Sequence, residues 1–324
     1  MYNIIMSHRV LDKGMQLLEG KANVYVANSA DPEAYYEQLA DAEAVILRLA
    51  KFDRAAFEHA PKLRVIGRVG VGYDSVDVEA ANEYGVPVVI TPGANSLSVA
   101  ENAVALTFAL AKDLVAGHME TMAGNFSTVR NKGRAFELAD KTVGFVGYGA
   151  IGRLAANIFS GIDMKVMVYD PYVKRENIEA QGYQYAEKLY DLLPAVDLVT
   201  VHVPLTKETV GMIDRKAMEA MRDSTLLINC ARGGIIHEED LVWALENDVI
   251  AGAGLDVTEH EPPLPGDKIL TCKNVIISPH IAAQTKEASY NMAKMCIEGC
   301  LRVLDGEKIR NVANPKAYDH SRWQ

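Results

Sequence analysis

Short apolar runs alternate with stretches of helical periodicity along most of the chain. In the first ninety residues the apolar runs are Tyr2–Met6, Ala22–Val26, Ala44–Leu47, Leu63–Ile66 and Val86–Ile90. Helical stretches separate them near Leu11–Leu18, Pro32–Leu39, Arg54–His59 and Val76–Tyr84. Strand and helix in regular turn predict a parallel sheet covered on both faces. This first series carries no glycine fingerprint.

Thr91-Pro-Gly-Ala-Asn95 breaks the rhythm. Ser96 to Val115 then reads as one long helix, with Ser96 or Ser98 near its start and Glu101 in its first turn. A long helix between two α/β series predicts a connector. Residues 118–140 read as polar and irregular, with Gly124, Asn125, Asn131 and Gly133. That is long for an internal loop, and an arm packed on a second subunit accounts for it. A second βα series runs from Lys141 to about Pro279. Its strands are Val143–Val146, Lys165–Tyr169, Leu198–Val203, Thr225–Asn229, Ile250–Leu255 and Val275–Ser278. A last helix is expected over 284–304, then a polar stretch over 305–324. No internal sequence repeat is found.

Composition narrows the function classes. With 324 residues and 49% apolar content, two cores are expected. The net charge is −10, and the 33 basic residues form no run. This argues against nucleic acid or an anionic membrane surface as partner, but not against a small anionic substrate. No apolar stretch reaches membrane-spanning length, and the start of the chain lacks a signal-peptide layout. Cys230, Cys272, Cys296 and Cys300 have no zinc-site spacing, so no metal is expected. Cys296 and Cys300 read as core thiols on one helix face. Reduced thiols point to the cytoplasm.

The chemistry centres on Val143-Gly-Phe-Val-Gly-Tyr-Gly-Ala-Ile-Gly152. An apolar strand enters a Gly-x-Gly-x-x-Gly pattern and an amphipathic helix leaves it. Gly147 permits the turn, Gly149 admits a pyrophosphate to the backbone, and Gly152 lets helix and strand pack. The amides of Ala150 and Ile151 would face the phosphates at the positive end of the helix. The next strand ends on Asp170, eighteen residues after Gly152. An acidic side chain there accepts the adenosine ribose hydroxyls. The pattern predicts a Rossmann-type dinucleotide site.

Ligands of open parallel sheets sit beyond the carboxyl ends of the strands. Cys230-Ala-Arg232, Asp256 with Glu261, and Ser278-Pro-His280 follow three successive strands of the second series. A two-pronged cation suits a carboxylate. An imidazole titrates near neutral pH and can pass a proton to a carbonyl oxygen. A neighbouring carboxylate orients such an imidazole and favours its protonated form. These are the parts that reduction of a 2-oxo acid needs.

The chain resembles the NAD-dependent D-isomer-specific 2-hydroxyacid dehydrogenases. The resemblance spans nearly its whole length. It rests on Arg68-Val-Gly-Val-Gly-Tyr-Asp74, Asn95-Ser-Leu-Ser-Val-Ala-Glu101, Gly147–Gly152, His202-Val-Pro-Leu-Thr206, Asn229-Cys-Ala-Arg-Gly-Gly234, Gly254-Leu-Asp-Val257 and Ser278-Pro-His-Ile-Ala282. It implies that Arg232 grips the substrate carboxylate, that His280 is the acid/base and that Glu261 is its partner. It implies that Val71, Asp170, Val203, Cys230, Ala231, Asp256 and Ala282 line the dinucleotide with the fingerprint. Arg48, Arg68, Val69, Gly70 and Asn95 would face the substrate.

The resemblance also implies a domain plan. An α/β Rossmann-type cofactor domain, 98–287, would be inserted in a flavodoxin-like substrate domain made of 1–97 and 288–324. Each would be a doubly wound parallel sheet, and a cleft between them would close over the substrate. A homodimer built through the long helix and the following arm would be usual. Ala150 stands where many relatives have Arg, and Ala282 and Ala283 stand where many have glycine.

Within the family the look is of phosphoglycerate dehydrogenases and hydroxypyruvate reductases, though the regulatory domain of many phosphoglycerate enzymes is not expected. Leu49, Ala50 and Lys51 replace small hydroxylated residues, and Tyr73 replaces a small aliphatic one. Reduction of a bulkier apolar 2-oxo acid is therefore a second expectation. An NAD-sensing corepressor-like binding protein is a third.

Overall fold

In the computed structural model, which describes residues 1–130 and 135–324, the first sheet has five parallel strands. They are β1 (Tyr2–Met6), β2 (Ala22–Val26), β3 (Ala44–Leu47), β4 (Val65–Arg68) and β5 (Val88–Val89), in the order β2-β1-β3-β4-β5. This is the flavodoxin-like order, with its reversal between β1 and β3. β3 and β4 are buried along their whole length because both faces of the sheet are covered. One face packs Val45, Leu47, Ile66 and Val88 with Phe52, Phe57 and Leu63. The other packs Ile4, Met6, Ile46 and Val65 against Cys296, Ile297, Cys300 and Val303. Those last four belong to the helix Lys286–Leu304, so a late stretch of chain completes the first sheet. The unit comprises Met1–Asn95 and Gln284–Gln324.

The second unit, Ser96–Ala283, holds seven parallel strands. They are β6 (Thr142–Val146), β7 (Lys165–Tyr169), β8 (Gln184–Tyr185), β9 (Leu198–Val201), β10 (Leu226–Asn229), β11 (Gly252–Leu255) and β12 (Val275–Ile277). Their order is β12-β11-β10-β9-β6-β7-β8. The strand order reverses between β6 and β9, the kind of point at whose strand ends open parallel sheets bind ligands. The helices Ser96–Ala111 and Ala150–Ser160 pack together over one face with Phe145, Phe159 and Val168. On the other face Val199, Val201, Leu227 and Leu255 pack with Ile213, Met218 and Leu241. The two units are the α/β, parallel-sheet pair that the sequence pattern predicts.

Several boundaries differ from the sequence reading. The helix starting at Ser96 ends at Ala111, not Val115. Asp113 takes a left-handed conformation, φ 51°, and breaks it. Two further helices follow, Leu114–Met122 and Phe126–Arg130, where the polar composition suggests an irregular stretch. Leu114, Val115, Met119 and Met122 share helical spacing, which the residues around them hide. Asn131 and Gly133, read as part of the same arm, lie outside the described residues. β4 runs two residues later than its apolar run suggests, so Arg68 is its last residue. β8 carries no period long enough to read. The polar stretch after Leu304 includes the short turns Pro315–Asp319 and Ser321–Trp323, tied down by Arg322 Nη1 to the carbonyls of Leu63 and Tyr84.

Candidate active site

The fingerprint lies at the end of β6, at the reversal point of the second sheet. Gly147 sits at φ +99°, where a side chain would also strike the His202 carbonyl at 2.8 Å. A Cβ on Gly152 would come within 2.5 Å of the Gly147 carbonyl oxygen. Helix and strand therefore pack at a distance only glycine allows. Nothing lies within 4 Å of a Cβ built on Gly149, which caps the helix Ala150–Ser160 with no side-chain bond. Open space over an uncapped helix N-terminus fits a pyrophosphate. Asp170 follows β7. Its Oδ2 accepts the Tyr148 amide at 2.7 Å and its Oδ1 the Tyr172 amide at 2.9 Å. The carboxylate thus braces the fingerprint turn, and each oxygen retains a further lone pair.

Two neighbours of the fingerprint are held neutral by burial. His202 follows β9, stacks on Phe145 and shares a hydrogen bond with Thr200 Oγ1 at 2.9 Å. Burial pushes its pKa down to about 4. Burial pushes the Cys230 thiol up to about 12, against the hydrogen bond from Asn102 Nδ2. An unreactive thiol suits a wall better than a nucleophile. Val203 and Ala231 are half-buried nearby in the chain, and Ala282 is buried.

Beyond β10, Asn229 shapes the turn that presents Arg232. Its Oδ1 accepts the Ala231 amide at 2.9 Å and its Nδ2 donates to the Arg232 carbonyl at 2.8 Å. Arg232 Nη1 in turn donates to the Ala231 carbonyl at 2.7 Å. Beyond β11, Asp256 is almost fully buried. Its Oδ1 accepts Ser278 Oγ at 2.6 Å and the Ile281 amide at 3.0 Å, and its Oδ2 accepts the Ala282 amide at 2.8 Å. Its backbone carbonyl takes the His280 amide at 2.9 Å. His280 itself sits at φ 52°, a conformation that costs a non-glycine residue about 1–3 kcal/mol. Charge-assisted bonds of about 1.5–3 kcal/mol each on both sides of it offset that cost.

The geometry brings His280 and Glu261 together. His280 Nδ1 and Glu261 Oε2 are 2.7 Å apart, and the Thr258 amide donates to Glu261 Oε1 at 3.4 Å. Burial alone would raise the Glu261 pKa. The hydrogen bond and charge of His280, the Thr258 amide and the charge of Arg232 outweigh it and hold the carboxyl below its ordinary value. Arg232 and His280 thus both act electrostatically on Glu261.

The remaining predicted residues belong to the first unit. Arg48 is exposed at the end of β3, and its amide donates to Ser7 Oγ at 3.3 Å. Arg68 is buried and donates from Nη1 to the Val69 carbonyl at 2.6 Å. Its guanidinium lies over Gly70, where a Cβ would come within 2.6 Å of Nη1. Val71 is exposed and Asn95 half-buried. Sequence reasoning does not find the turn-shaping work of Asn229, Thr258 and Asp256. A polar residue ending an apolar strand is the available signal. Among the described residues no cluster of His, Cys, Asp and Glu could hold a metal ion.

Residues 104–282 match the model for the NAD-binding domain of D-isomer specific 2-hydroxyacid dehydrogenases. The chain belongs to that family. It is 36% identical over 303 residues to a D-3-phosphoglycerate dehydrogenase of Archaeoglobus fulgidus, covering 93% of this chain and 57% of the relative. It is 33% identical to a glyoxylate reductase of Pyrococcus furiosus, covering 94% and 93%. The chain therefore spans under two thirds of the phosphoglycerate relative and nearly all of the glyoxylate relative. Among solved family structures, the NADPH-dependent glyoxylate/hydroxypyruvate reductase of Sinorhizobium meliloti superposes with a TM-score of 0.85 at 26% identity, over 98% of this chain and 99% of that one. Among the described residues no helix is long and apolar enough to cross a membrane.

Proposed function

We propose that this protein is a cytoplasmic, NAD-dependent dehydrogenase that interconverts a D-2-hydroxy acid and its 2-oxo acid. The observation that carries the reading is the 2.7 Å contact between His280 Nδ1 and Glu261 Oε2. With Nδ1 engaged, Nε2 is the ring nitrogen left to exchange a proton with substrate. In reduction His280 Nε2 delivers a proton to the carbonyl oxygen; in oxidation it removes the hydroxyl proton. Glu261 holds the ring in place and balances the imidazolium charge. Arg232 takes the substrate carboxylate in a two-pronged grip. When bound, the nicotinamide supplies the hydride in reduction and takes it in oxidation. Gly147, Gly149, Ala150, Ile151 and Gly152 would hold the pyrophosphate, and Asp170 the adenosine ribose.

For the substrate we favour a short, polar acid of the 3-phosphoglycerate or hydroxypyruvate kind. The names of the similar proteins support this class. Arg48 and Arg68 are the cations we assign to a second anionic group. NAD is preferred over NADP because a 2′-phosphate beside Asp170 would meet a like charge. A homodimer is favoured by the exposed stripe Leu114, Val115, Met119, Met122 and Phe126.

The test is NADH oxidation by the purified protein with phosphohydroxypyruvate, hydroxypyruvate, glyoxylate and 2-oxoisocaproate. Turnover with at least one of the first three is expected. NADH binding without turnover of any 2-oxo acid would replace the reading with that of a dinucleotide-sensing binding protein.

A further inference from the structure

Glu261 stands on the segment Thr258–Glu261, and one peptide unit of that segment is held from both sides. The Thr258–Glu259 peptide N–H donates to Glu238 Oε2 at 2.9 Å. Glu238 is the first residue of the helix Glu238–Glu246, so its backbone is anchored independently of the segment. The carbonyl of the same peptide lies against Gly233, the residue after Arg232. A Cβ there would collide with the Thr258 carbonyl oxygen and sit 2.5 Å from its carbon. One peptide plane is therefore held by a carboxylate at its N–H and by a bare backbone at its C=O.

This plane sets where the short run of chain to Glu261 begins. Thr258 donates its own amide to Glu261 Oε1 at 3.4 Å, and its hydroxyl closes the segment on the His260 carbonyl at 2.7 Å. Release of the Glu259 amide from Glu238 would let Glu259 shift, and with it the His260 carbonyl and the Glu261 carboxylate that follow it in the chain. Both contacts to Thr258 would then change together with the oxygen that faces His280. The same plane touches the turn that presents Arg232. The carboxylate grip and the proton-transfer pair thus share one mechanical reference.

We propose that Glu238 is a positioning residue for proton transfer, acting through the Thr258–Glu259 peptide on Glu261, with Gly233 as the close-packed seat of that peptide. The proposal rests on the assignment of Glu261 and His280 made above. Glu238 touches neither substrate nor cofactor in this scheme. A displacement of about 1 Å at reacting groups costs up to about a hundredfold in rate, so a lost anchor should be visible.

The experiment is a double-mutant cycle on the full chain with Glu238→Ala and Glu261→Gln. The readouts are the turnover rate in the reductive direction and the NADH Kd. Glu238→Ala should lower kcat by about tenfold to a hundredfold and leave the NADH Kd within about twofold. Glu238→Gln, which keeps an acceptor oxygen, should restore most of the rate. In the Glu261→Gln background, Glu238→Ala should cause little further loss, because the group it positions is already gone. Equal losses in both backgrounds would overturn the proposal while leaving the catalytic assignment intact. So would a Glu238→Gln enzyme as slow as Glu238→Ala. Wild-type turnover by Glu261→Gln alone would instead overturn the catalytic assignment, and this proposal with it. Should Glu238→Ala not fold, Glu238→Asp, shorter by one methylene, takes its place in the same cycle.

Discussion

His280 Nδ1 stands 2.7 Å from Glu261 Oε2, although the two residues follow different strands of the second sheet. Glu261 comes after β11 and His280 after β12, and the two strands are hydrogen-bonded neighbours. Their parallel register delivers both side chains to the same edge. Asp256 then fastens the His280 turn with three side-chain bonds and one backbone bond. The pair is a product of topology first and of local turns second.

That pair gives stability a defined pH dependence. The folded pKa of Glu261 lies below its ordinary value. Its contribution is therefore present above the ordinary carboxylate range and is lost as pH falls through the depressed value. Glu261→Gln should lower Tm near neutral pH, and the difference from wild type should close in acid. The carboxylate side chain is 34% exposed, so solvent screening keeps the effect small. A pair of this kind contributes under about 1 kcal/mol, or at most about 2–4 °C. Thermal melts from acid to neutral pH check this; a difference that grows in acid would contradict it.

Asp170 should serve two purposes that one substitution separates poorly and two separate well. Wild type should use NADH more efficiently than NADPH. Asp170→Ala removes both the ribose acceptor and the brace on the Tyr148 amide, so NADH efficiency should fall by about one to two decades. The NADH-to-NADPH ratio should fall as well, since the like charge is gone. Asp170→Asn, which retains an acceptor for one amide, should keep more NADH affinity than Asp170→Ala. Steady-state kinetics with both cofactors decide; equal wild-type efficiency with NADH and NADPH would exclude the role.

The stripe on the helix Leu114–Met122 predicts self-association. Met119 is 64% exposed and Met122 75% exposed, next to exposed Leu114 and Phe126. Light scattering at micromolar concentration should give the mass of a dimer. Met119→Lys with Met122→Lys should shift it toward monomer without loss of fold, because neither side chain packs in a core. A monomeric wild type would refute the assignment.

The parallel sheets are legible in the sequence because their strands are short apolar runs between amphipathic stretches, β6 and β7 above all. The fingerprint is legible because Gly147 and Gly152 do steric work that no other residue can do. The proposed trio could be named from sequence because Arg232, Glu261 and His280 each come in the turn that leaves an apolar strand, β10, β11 and β12. The helix Leu114–Met122 is not, because its apolar stripe faces outward and Gly117 and His118 dilute it. β8 is not, because two residues have no period. The supports of the site are hidden for another reason. The bonds of Asp256, Thr258 and Glu238 depend on turns that only tertiary packing closes.

Arg48 provides the test of substrate class. It is exposed at the end of β3, where its guanidinium can meet an anion from solvent. Loss of a charge-assisted hydrogen bond costs about 1.5–3 kcal/mol, or roughly one to two decades in affinity. Arg48→Ala should raise KM for phosphohydroxypyruvate by that order and leave KM for glyoxylate almost unchanged. If both change alike, or if wild type prefers a branched 2-oxo acid, Leu49 and Tyr73 become the side chains that recognise an apolar substituent.

The most direct measurement of the central claim pairs NADH binding with turnover in His280→Asn. Asn cannot deliver the proton, whereas the fingerprint and Asp170 are untouched. The account predicts an NADH Kd close to wild type and a kcat lowered by about 10² to 10⁴-fold for every 2-oxo acid that wild type reduces. Turnover near the wild-type rate, with NADH binding retained, would contradict it.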